Sequence, residues 1–225
     1  MKAVLVHEKT KELYIGETAD PILKEDELLI RTRAAGVNRA DIAQKMGSYP
    51  PPPGASTILG LETAGVVEQV GTKVKGWKVG DRICALLPGG GYAEKVTVPA
   101  EMAIRLPDSF SFEEGAAIPE VFLTAYLNLF LIGNLQKGQT VLIHAGASGV
   151  GTAAIQLARE AGAIIFATVG SEKKRRFCLQ LGAHYVINYQ QESFVERIKK
   201  ETHHKGVDLI LDLVGAAHFE NNLRS

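Results

Sequence analysis

The sequence predicts an α/β protein in two parts, a β-rich first part followed by a partial doubly wound parallel sheet. Two patterns lead to this prediction. In the first half of the chain, short apolar runs are separated by glycine turns, as in small β-barrels and sandwiches. In the second half, four apolar runs alternate with helical segments, and this order is typical of a parallel sheet covered by helices on both faces.

The first half contains five predicted strands, at residues 2–6, 27–37, 63–70, 81–87 and 92–98. Glycines separate them, and residues 89–91 are all glycine. The proline-rich run 50–53 predicts a rigid loop, because proline lacks the N–H that a helix or a sheet ladder needs.

The second half contains predicted strands at 140–144, 164–169, 185–188 and 207–214, with helices at 149–161, 171–181 and 191–200. The long apolar segment 118–132 precedes them and predicts a helix packed between the two halves. We therefore expect a domain boundary near Ala117, with domains at 1–117 and 118–225.

The composition excludes several classes of protein. The 225 residues carry 25 basic and 25 acidic side chains, so charge does not draw the chain to nucleic acid or to a membrane surface. Two cysteines, Cys84 and Cys178, cannot form a disulfide framework or a four-cysteine zinc site. No signal-peptide pattern opens the sequence, and we expect a cytoplasmic protein without membrane partners.

Residues 141–151, VLIHAGASGVG, predict a phosphate-binding loop. A strand leads through small residues into a helix, whose free N–H groups and positive dipole end suit a pyrophosphate. Ser148, Gly149 and Val150 open this helix, and Gly151 allows close packing on the strand. Ser148 replaces the middle glycine of the usual motif. Its hydroxyl could form a hydrogen bond with a phosphate oxygen or reach toward the nicotinamide side, or the residue could simply be a slightly bulkier substitute for glycine. A tight turn without a ligand is the alternative interpretation.

The start of the next helix favours NADP over NAD. An NAD-binding unit usually has an acidic residue after its second strand, where this chain has Gly170 and Ser171. Four cations follow at 173–176, KKRR, and they oppose the helix dipole unless a 2′-phosphate lies nearby. A solvated helix face is the alternative.

Three features of the first half identify no chemistry by themselves. Asn38 opens a predicted helix and would serve as its N-cap. Tyr49 precedes the proline run and could be a packing residue, and Glu62 enters a strand, where it could be an exposed strand end.

Taken together, these stretches resemble a known family. Residues 36–41, 49–52, 60–67, 79–82, 123–126 and 145–151 are similar, in order, to the medium-chain dehydrogenase/reductase superfamily, in its zinc-free, zeta-crystallin-like quinone oxidoreductase branch. Residues 87–91 and 145–151 most resemble an animal subgroup that is inducible by a tumour suppressor. The resemblance implies a GroES-like domain at 1–117 and a Rossmann domain at 118–225.

The resemblance also implies an activity, NADPH-dependent reduction of quinones or related conjugated carbonyls by hydride transfer. Zinc-dependent relatives carry cysteine where Asn38 stands and histidine where Leu61 stands, and neither replacement is a plausible zinc ligand. The partner would be a small molecule, and full-length relatives would be homodimers. The alternative is a catalytically crippled NADPH-binding fragment with a regulatory or RNA-binding role, although the neutral charge balance gives no support for RNA.

The implied site residues fall into groups. Tyr49 and Asn38 would be catalytic, in the quinone and nicotinamide pocket, and Thr124 would contact the nicotinamide end. Ser148, Gly149, Val150 and Gly151 would form the pyrophosphate turn. The adenosine and its 2′-phosphate would be held by Lys174 and Tyr189, with Gly170 and Ser171 beside them and with Val214 and Gly215 on the loop after the fourth strand.

The length itself carries an expectation. Family members run roughly half as long again, and a six-stranded dinucleotide fold needs two strands beyond those predicted here. We therefore expect a fragment, a splice product or a truncated gene prediction, whose usual dimer edge is absent.

Overall fold

The computed structural model describes residues 1–225, which form two compact units, Met1–Glu120 and Val121–Ser225. None of the helices is both long enough and apolar enough to span a bilayer. Both cysteines are free and buried.

The first unit is built on antiparallel strands. Its elements are β1 (Lys2–Val6), β2 (Leu13–Glu17), β3 (Glu27–Ala35), α1 (Arg39–Lys45), β4 (Glu62–Val70), β5 (Arg82–Leu86), β6 (Lys95–Pro99), a 3₁₀ turn (Ala100–Met102), β7 (Ala103–Arg105) and α2 (Phe112–Ala116). Five strands form one sheet in the order β6-β3-β4-β5-β7, and β1 pairs with β2. Alternate residues of β3, including Leu28 and Ile30, enter a core with Val67 and Ile83.

The five predicted strands of this unit are confirmed, the first without error and the other four with shifted ends, but two further strands were missed. β2 has no buried face, since Leu13, Tyr14 and Ile15 are all exposed, and it therefore shows no alternating pattern. β7 has only three residues, which is too short for any periodicity. Residues 92–94 were predicted as strand and lie outside β6.

The second unit is a parallel sheet with flanking helices. After α3 (Pro119–Tyr126) and a π-helical segment (Leu127–Ile132) come β8 (Thr140–Ile143), α4 (Gly149–Glu160), β9 (Ile164–Val169), α5 (Glu172–Leu181), β10 (Tyr185–Asn188), α6 (Phe194–Glu201), β11 (Leu209–Leu211) and α7 (Phe219–Asn222). The strand order is β10-β9-β8-β11, and all pairs are parallel. The predicted fold class is thus confirmed.

Residues along β8 alternate between two cores, one on each face of the sheet. Val141 and Ile143 pack with Ile155 of α4, whereas Leu142 packs with Phe194 and Ile198 of α6. The chain moves from β8 to β9 and β10 on one side and reaches β11 on the other. The carboxyl ends of β8 and β11 therefore form a topological switch point, where open α/β sheets bind their ligands.

Three predicted boundaries in this unit were wrong for local reasons. The single helix expected at 118–132 changes to a π-helix after Tyr126, with the Asn128 amide donating to the Thr124 carbonyl at 2.8 Å. The strand expected at 207–214 ends early, because the Asp212 carboxylate accepts the N–H groups that follow it. The helix expected from 191 starts at Phe194, where Ser193 is the N-cap.

Candidate functional site

The predicted phosphate loop is a tight turn between β8 and α4. Ala145 has a φ of 49°, and the Gly146 N–H donates to the Thr168 carbonyl at 2.9 Å. The Ser148 hydroxyl accepts the N–H of Gly151 at 3.1 Å and so caps α4. A Cβ at Gly151 would collide with the Ala145 carbonyl oxygen, so the turn requires glycine there. The N–H groups of Gly149 and Val150 have no partner within the chain, which leaves them available to an anion.

A cavity of about 330 Å³ opens beside this loop in the second unit. Its walls come from the segments that follow β8, β9, β10 and β11, and its lining residues are Ala145, Ala147, Ser148, Val169, Gly170, Lys174, Tyr189, Val214, Ala217 and His218. The structure thus brings together five predicted cofactor residues: Ser148, Gly170, Lys174, Tyr189 and Val214. The volume lies within the range of small-molecule sites, about 300–1,000 Å³.

Gly170 and Tyr189 are fitted to each other in this cavity. A Cβ at Gly170 would lie 2.6 Å from the Tyr189 hydroxyl oxygen, so a larger residue would displace the phenol ring. On its other side, the Tyr189 ring faces the His218 ring edge-on, with centroids 5.7 Å apart. The Ser171 hydroxyl accepts the N–H of Lys174 at 3.4 Å and caps α5, which carries Lys174.

The basic run of α5 separates into two kinds of cation. Arg175 and Arg176 both reach Glu172, at 3.1 and 3.7 Å, so the two arginines share one carboxylate. Lys173 and Lys174 form no salt bridge, and of the two only Lys174 lines the cavity. One uncompensated cation therefore stands at the cavity wall, where an anionic group would satisfy it.

The remaining predicted cofactor residues lie outside the cavity lining. Four of them directly follow cavity-lining residues at the starts of two helices: Gly149, Val150 and Gly151 follow Ser148, and Ser171 follows Gly170. Thr124 is half-buried in α3, and its carbonyl accepts the Asn128 amide. The Gly215 N–H donates to Asp212 at 2.9 Å.

In the first unit, Asn38 is tied to two buried carboxylates. Its backbone N–H donates to the Asp41 carboxylate at 2.7 Å, and its side-chain amide donates to Glu62 at 2.8 Å. Glu62 is 2% exposed and also accepts the Glu120 N–H at 2.9 Å. Burial raises the pKa of the Glu62 carboxyl, against the two donors that lower it. The exposed strand end considered from sequence is therefore wrong for Glu62.

Asp41 is the second buried carboxylate, 3% exposed. Besides Asn38, it accepts the Tyr92 hydroxyl at 2.8 Å and the Gly60 N–H at 3.2 Å. Burial, followed by the bond to Asp41, raises the pKa of the Tyr92 hydroxyl well above its ordinary value. We call Asp41, Glu62, Asn38 and Tyr92 the carboxylate network.

Tyr49 lies after α1, before the proline run, and is 54% exposed. Its hydroxyl forms no hydrogen bond in the structure. By contrast, the backbone N–H and the side-chain amide of Asn38 both donate hydrogen bonds. No hydrogen bond joins these two predicted catalytic residues.

Sequence reasoning missed several polar groups around the cavity. His144 lies within the phosphate-loop motif but had been given no role, and it is fully buried. His218 lines the cavity, and Asn222 bonds His144 from α7. The only sequence signal for these groups was a histidine directly after an apolar strand, in the His144-Ala145-Gly146 turn. Helix α7 gave no signal, because four residues are too few for a periodic pattern.

Comparison with known proteins identifies the class. Residues 24–108 match the alcohol dehydrogenase GroES-like domain, and residues 149–225 match the zinc-binding dehydrogenase domain. The chain therefore carries the two kinds of domain found together in this class of dehydrogenases and reductases.

Among the relatives, a quinone oxidoreductase of Sus scrofa is 36% identical over 92% of this chain and 64% of its own length. A highly reducing polyketide synthase of Didymella fabae is 40% identical over 89% of this chain and 11% of its own length. The structure of the Escherichia coli quinone oxidoreductase complexed with NADPH has a TM-score of 0.88 at 35% identity, covering 100% of this chain and 69% of that one.

This chain therefore belongs to the medium-chain dehydrogenase/reductase superfamily, with quinone oxidoreductases among its homologues. It spans 64% of the Sus scrofa relative and a small part of the synthase. The closer likeness to one animal subgroup stays a prediction.

A zinc ion does not fit the residues at the expected ligand positions. Leu61 is a buried apolar side chain, and the Asn38 amide already donates to Glu62. No group of three or more histidine, cysteine, aspartate or glutamate side chains converges in the described chain.

Proposed function

We propose that this chain binds NADPH and reduces a quinone or a related conjugated carbonyl by hydride transfer without zinc. The observation that carries the proposal is the cavity wall, where Lys174 lacks an acidic partner and faces the same space as Tyr189 and Ser148. The likeness to an NADPH-complexed quinone oxidoreductase and to a reducing synthase supports this cofactor and this class of acceptor.

The residues of the second unit fit such a cofactor. Lys174 supplies the charge for a 2′-phosphate, Tyr189 a flat face for the adenosine, and Gly170 the space beside them. The free N–H groups of Gly149 and Val150 suit the pyrophosphate. NADPH supplies the hydride when bound.

The chain's own contribution is then to position and to handle a proton. Glu62 fixes the Asn38 amide, and Asn38 is proposed to contact the nicotinamide and the acceptor. Thr124 of the second unit is proposed separately as a contact of the nicotinamide end. Positioning of this kind contributes up to about 7–11 kcal/mol of a barrier. Tyr49 orients or protonates the reduced oxygen, or water does so.

The test compares Lys174→Glu with its neighbour Lys173→Glu, which lies on the same helix turn outside the cavity. We expect Lys174→Glu to weaken NADPH binding by at least about tenfold, because it replaces attraction with repulsion at the 2′-phosphate. Its NADH affinity and the NADPH affinity of Lys173→Glu should be unchanged. Fluorescence titration measures all three, and equal loss of NADPH and NADH by Lys174→Glu would contradict the assignment.

The wild-type preparation also decides between catalysis and binding alone. Stopped-flow oxidation of NADPH is followed with ortho-quinones, para-quinones and an α,β-unsaturated thioester. Turnover with any of these supports the reductase. Tight NADPH binding without turnover on any acceptor would favour the binding-only alternative.

A further inference from the structure

The carboxyl ends of the parallel strands carry three polar residues that the proposed chemistry does not use, and helix α7 adds a fourth. His144 follows β8 and is 0% exposed. Its Nδ1 lies 2.8 Å from the Thr168 hydroxyl of β9, and its Nε2 lies 2.8 Å from Oδ1 of Asn222 in α7. The Asn222 amide nitrogen in turn lies 3.1 Å from the carboxylate of Asp212, just after β11. We call these four residues the histidine network.

Elementary hydrogen-bond chemistry fixes the direction of every bond in the network. An ionised carboxylate only accepts, so Asn222 must point its NH₂ group at Asp212 and its oxygen at His144. The Nε2 of His144 must therefore carry the proton. Nδ1 is then the acceptor and takes the hydrogen of the Thr168 hydroxyl. Thr168 therefore donates to His144, His144 donates to Asn222, and Asn222 donates to Asp212.

The surroundings of His144 keep the imidazole neutral, as this arrangement requires. Burial lowers the pKa of His144, and the neighbouring His218 ring acts in the same direction. The bond to Asn222 and the charge of Asp212 oppose these effects without reversing them. The Phe194 ring packs edge-on against His144 at 5.1 Å and excludes water from that side.

The network ends at the walls of the cofactor cavity. The other carboxylate oxygen of Asp212 accepts the N–H groups of Val214 at 2.8 Å and Gly215 at 2.9 Å, which shapes the turn that carries Val214. The Thr168 carbonyl accepts the Gly146 N–H of the phosphate loop at 2.9 Å. His218 lines the cavity with its ring 4.7 Å from that of His144.

We infer that the histidine network holds two walls of the cavity in register, the phosphate loop and the turn after β11. Thr168, His144 and Asn222 are thus positioning residues for the cofactor, although none of the three lines the cavity. The inference rests on the proposed function, because it names the residues that order the same site. Because every hydrogen bond of the intact network has a fixed direction, its side chains have a single arrangement. If one donor is lost, the Asn222 side chain and the turn that carries Val214 are free to rotate.

The test uses a matched pair at one buried position. Thr168→Val keeps the shape and loses the donor to Nδ1, whereas Thr168→Ser keeps the donor. If the Val variant orders the cavity in about one molecule in ten, its Kd for NADPH rises about tenfold. We expect the Ser variant to stay within about twofold of wild type. Ile198→Val, in the core on the same face of the sheet but outside the network, controls for general loosening.

A spectroscopic readout tests the network without cofactor. Two-bond ¹H–¹⁵N correlation spectra of the unliganded protein report which His144 nitrogen carries hydrogen. We expect the neutral Nε2–H form in wild type and in Thr168→Ser, and a mixture of forms in Thr168→Val.

The outcomes separate the inference from the proposed function. Wild-type NADPH binding with the expected Nε2–H form, lost affinity in Thr168→Val and rescue in Thr168→Ser supports both. Unchanged NADPH affinity in Thr168→Val, or an Nδ1–H tautomer in wild type, overturns the inference alone. Absence of NADPH binding by the folded wild-type protein overturns the proposed function, and the cofactor role of the network with it.

Discussion

The two units each bury a polar network, and they do so by opposite chemistry. The carboxylate network of the first unit places Asp41 and Glu62 almost wholly out of water and surrounds them with N–H, amide and hydroxyl donors. The histidine network of the second unit buries neutral groups and leaves its carboxylate, Asp212, near the surface. Burying a charge is costly unless donors surround it, so the first network should tolerate losses less well.

The largest expected effect comes from removing a carboxylate from each network. Asp41→Ala leaves the Tyr92 hydroxyl and the N–H groups of Asn38 and Gly60 without their acceptor, and we expect a loss of about 3–5 kcal/mol in the free energy of unfolding. Asp212→Ala should lose about 1 kcal/mol, because water reaches the exposed N–H groups. Urea unfolding of both variants measures the difference. Equal losses of unfolding free energy in the two variants would contradict the view that the first network is the less tolerant one.

A smaller effect is expected from a single donor. Tyr92→Phe removes one of three bonds to Asp41 and should lower the free energy of unfolding by about 1–2 kcal/mol. The matched Tyr14→Phe variant lies on the exposed strand β2 and should change it by less than about 0.5 kcal/mol. A Tyr92→Phe protein as stable as wild type would show that water or another donor replaces the hydroxyl.

The smallest effect is a dependence on pH. Burial raises the pKa of Glu62 above its ordinary value of 4.5, so the folded protein holds a proton that the unfolded chain has released. The stability contributed by this carboxyl therefore falls as pH rises from 4.5 through the raised pKa. Glu62→Gln does not titrate, and its stability relative to wild type should increase over that range.

Glu68 provides a control of opposite sign. Hydrogen bonds from Arg31 and then Lys95 lower its pKa, so its contribution is present above 4.5 and is lost as pH falls through the lowered value. Relative to wild type, Glu68→Gln should therefore lose stability as pH rises. Urea titrations between pH 3.5 and 7 measure both slopes, and slopes of the same sign would contradict the assignment.

Much of the fold could be predicted because its pattern is local. The apolar strand before the phosphate loop and the helix start after it follow from neighbouring residues, and the β9 and β10 ranges were predicted without error. The networks could not be predicted in this way. His144 meets Asn222 across 78 positions of sequence, and Glu62 meets Asn38 across 24, so only the folded topology shows that these groups lie together.

The site shows the same division between local and distant information. Lys174 could be proposed from the charges beside it, but its lack of an ion pair depends on where Glu172 points. Glu62 reads as a strand end from its neighbours, and its burial depends on the distant Glu120 and Asn38.

The close fit of Gly170 and Tyr189 has a consequence for changing the cofactor. An acidic side chain that would select the unphosphorylated ribose belongs at the end of β9, yet any Cβ at Gly170 would enter the space of the Tyr189 hydroxyl. Position 170 is therefore coupled to position 189, because it cannot gain a side chain while Tyr189 keeps its ring. A change of preference from NADPH to NADH therefore requires two substitutions. Tyr189 must first be replaced by a smaller residue, and only then can an acidic side chain be accommodated at position 170.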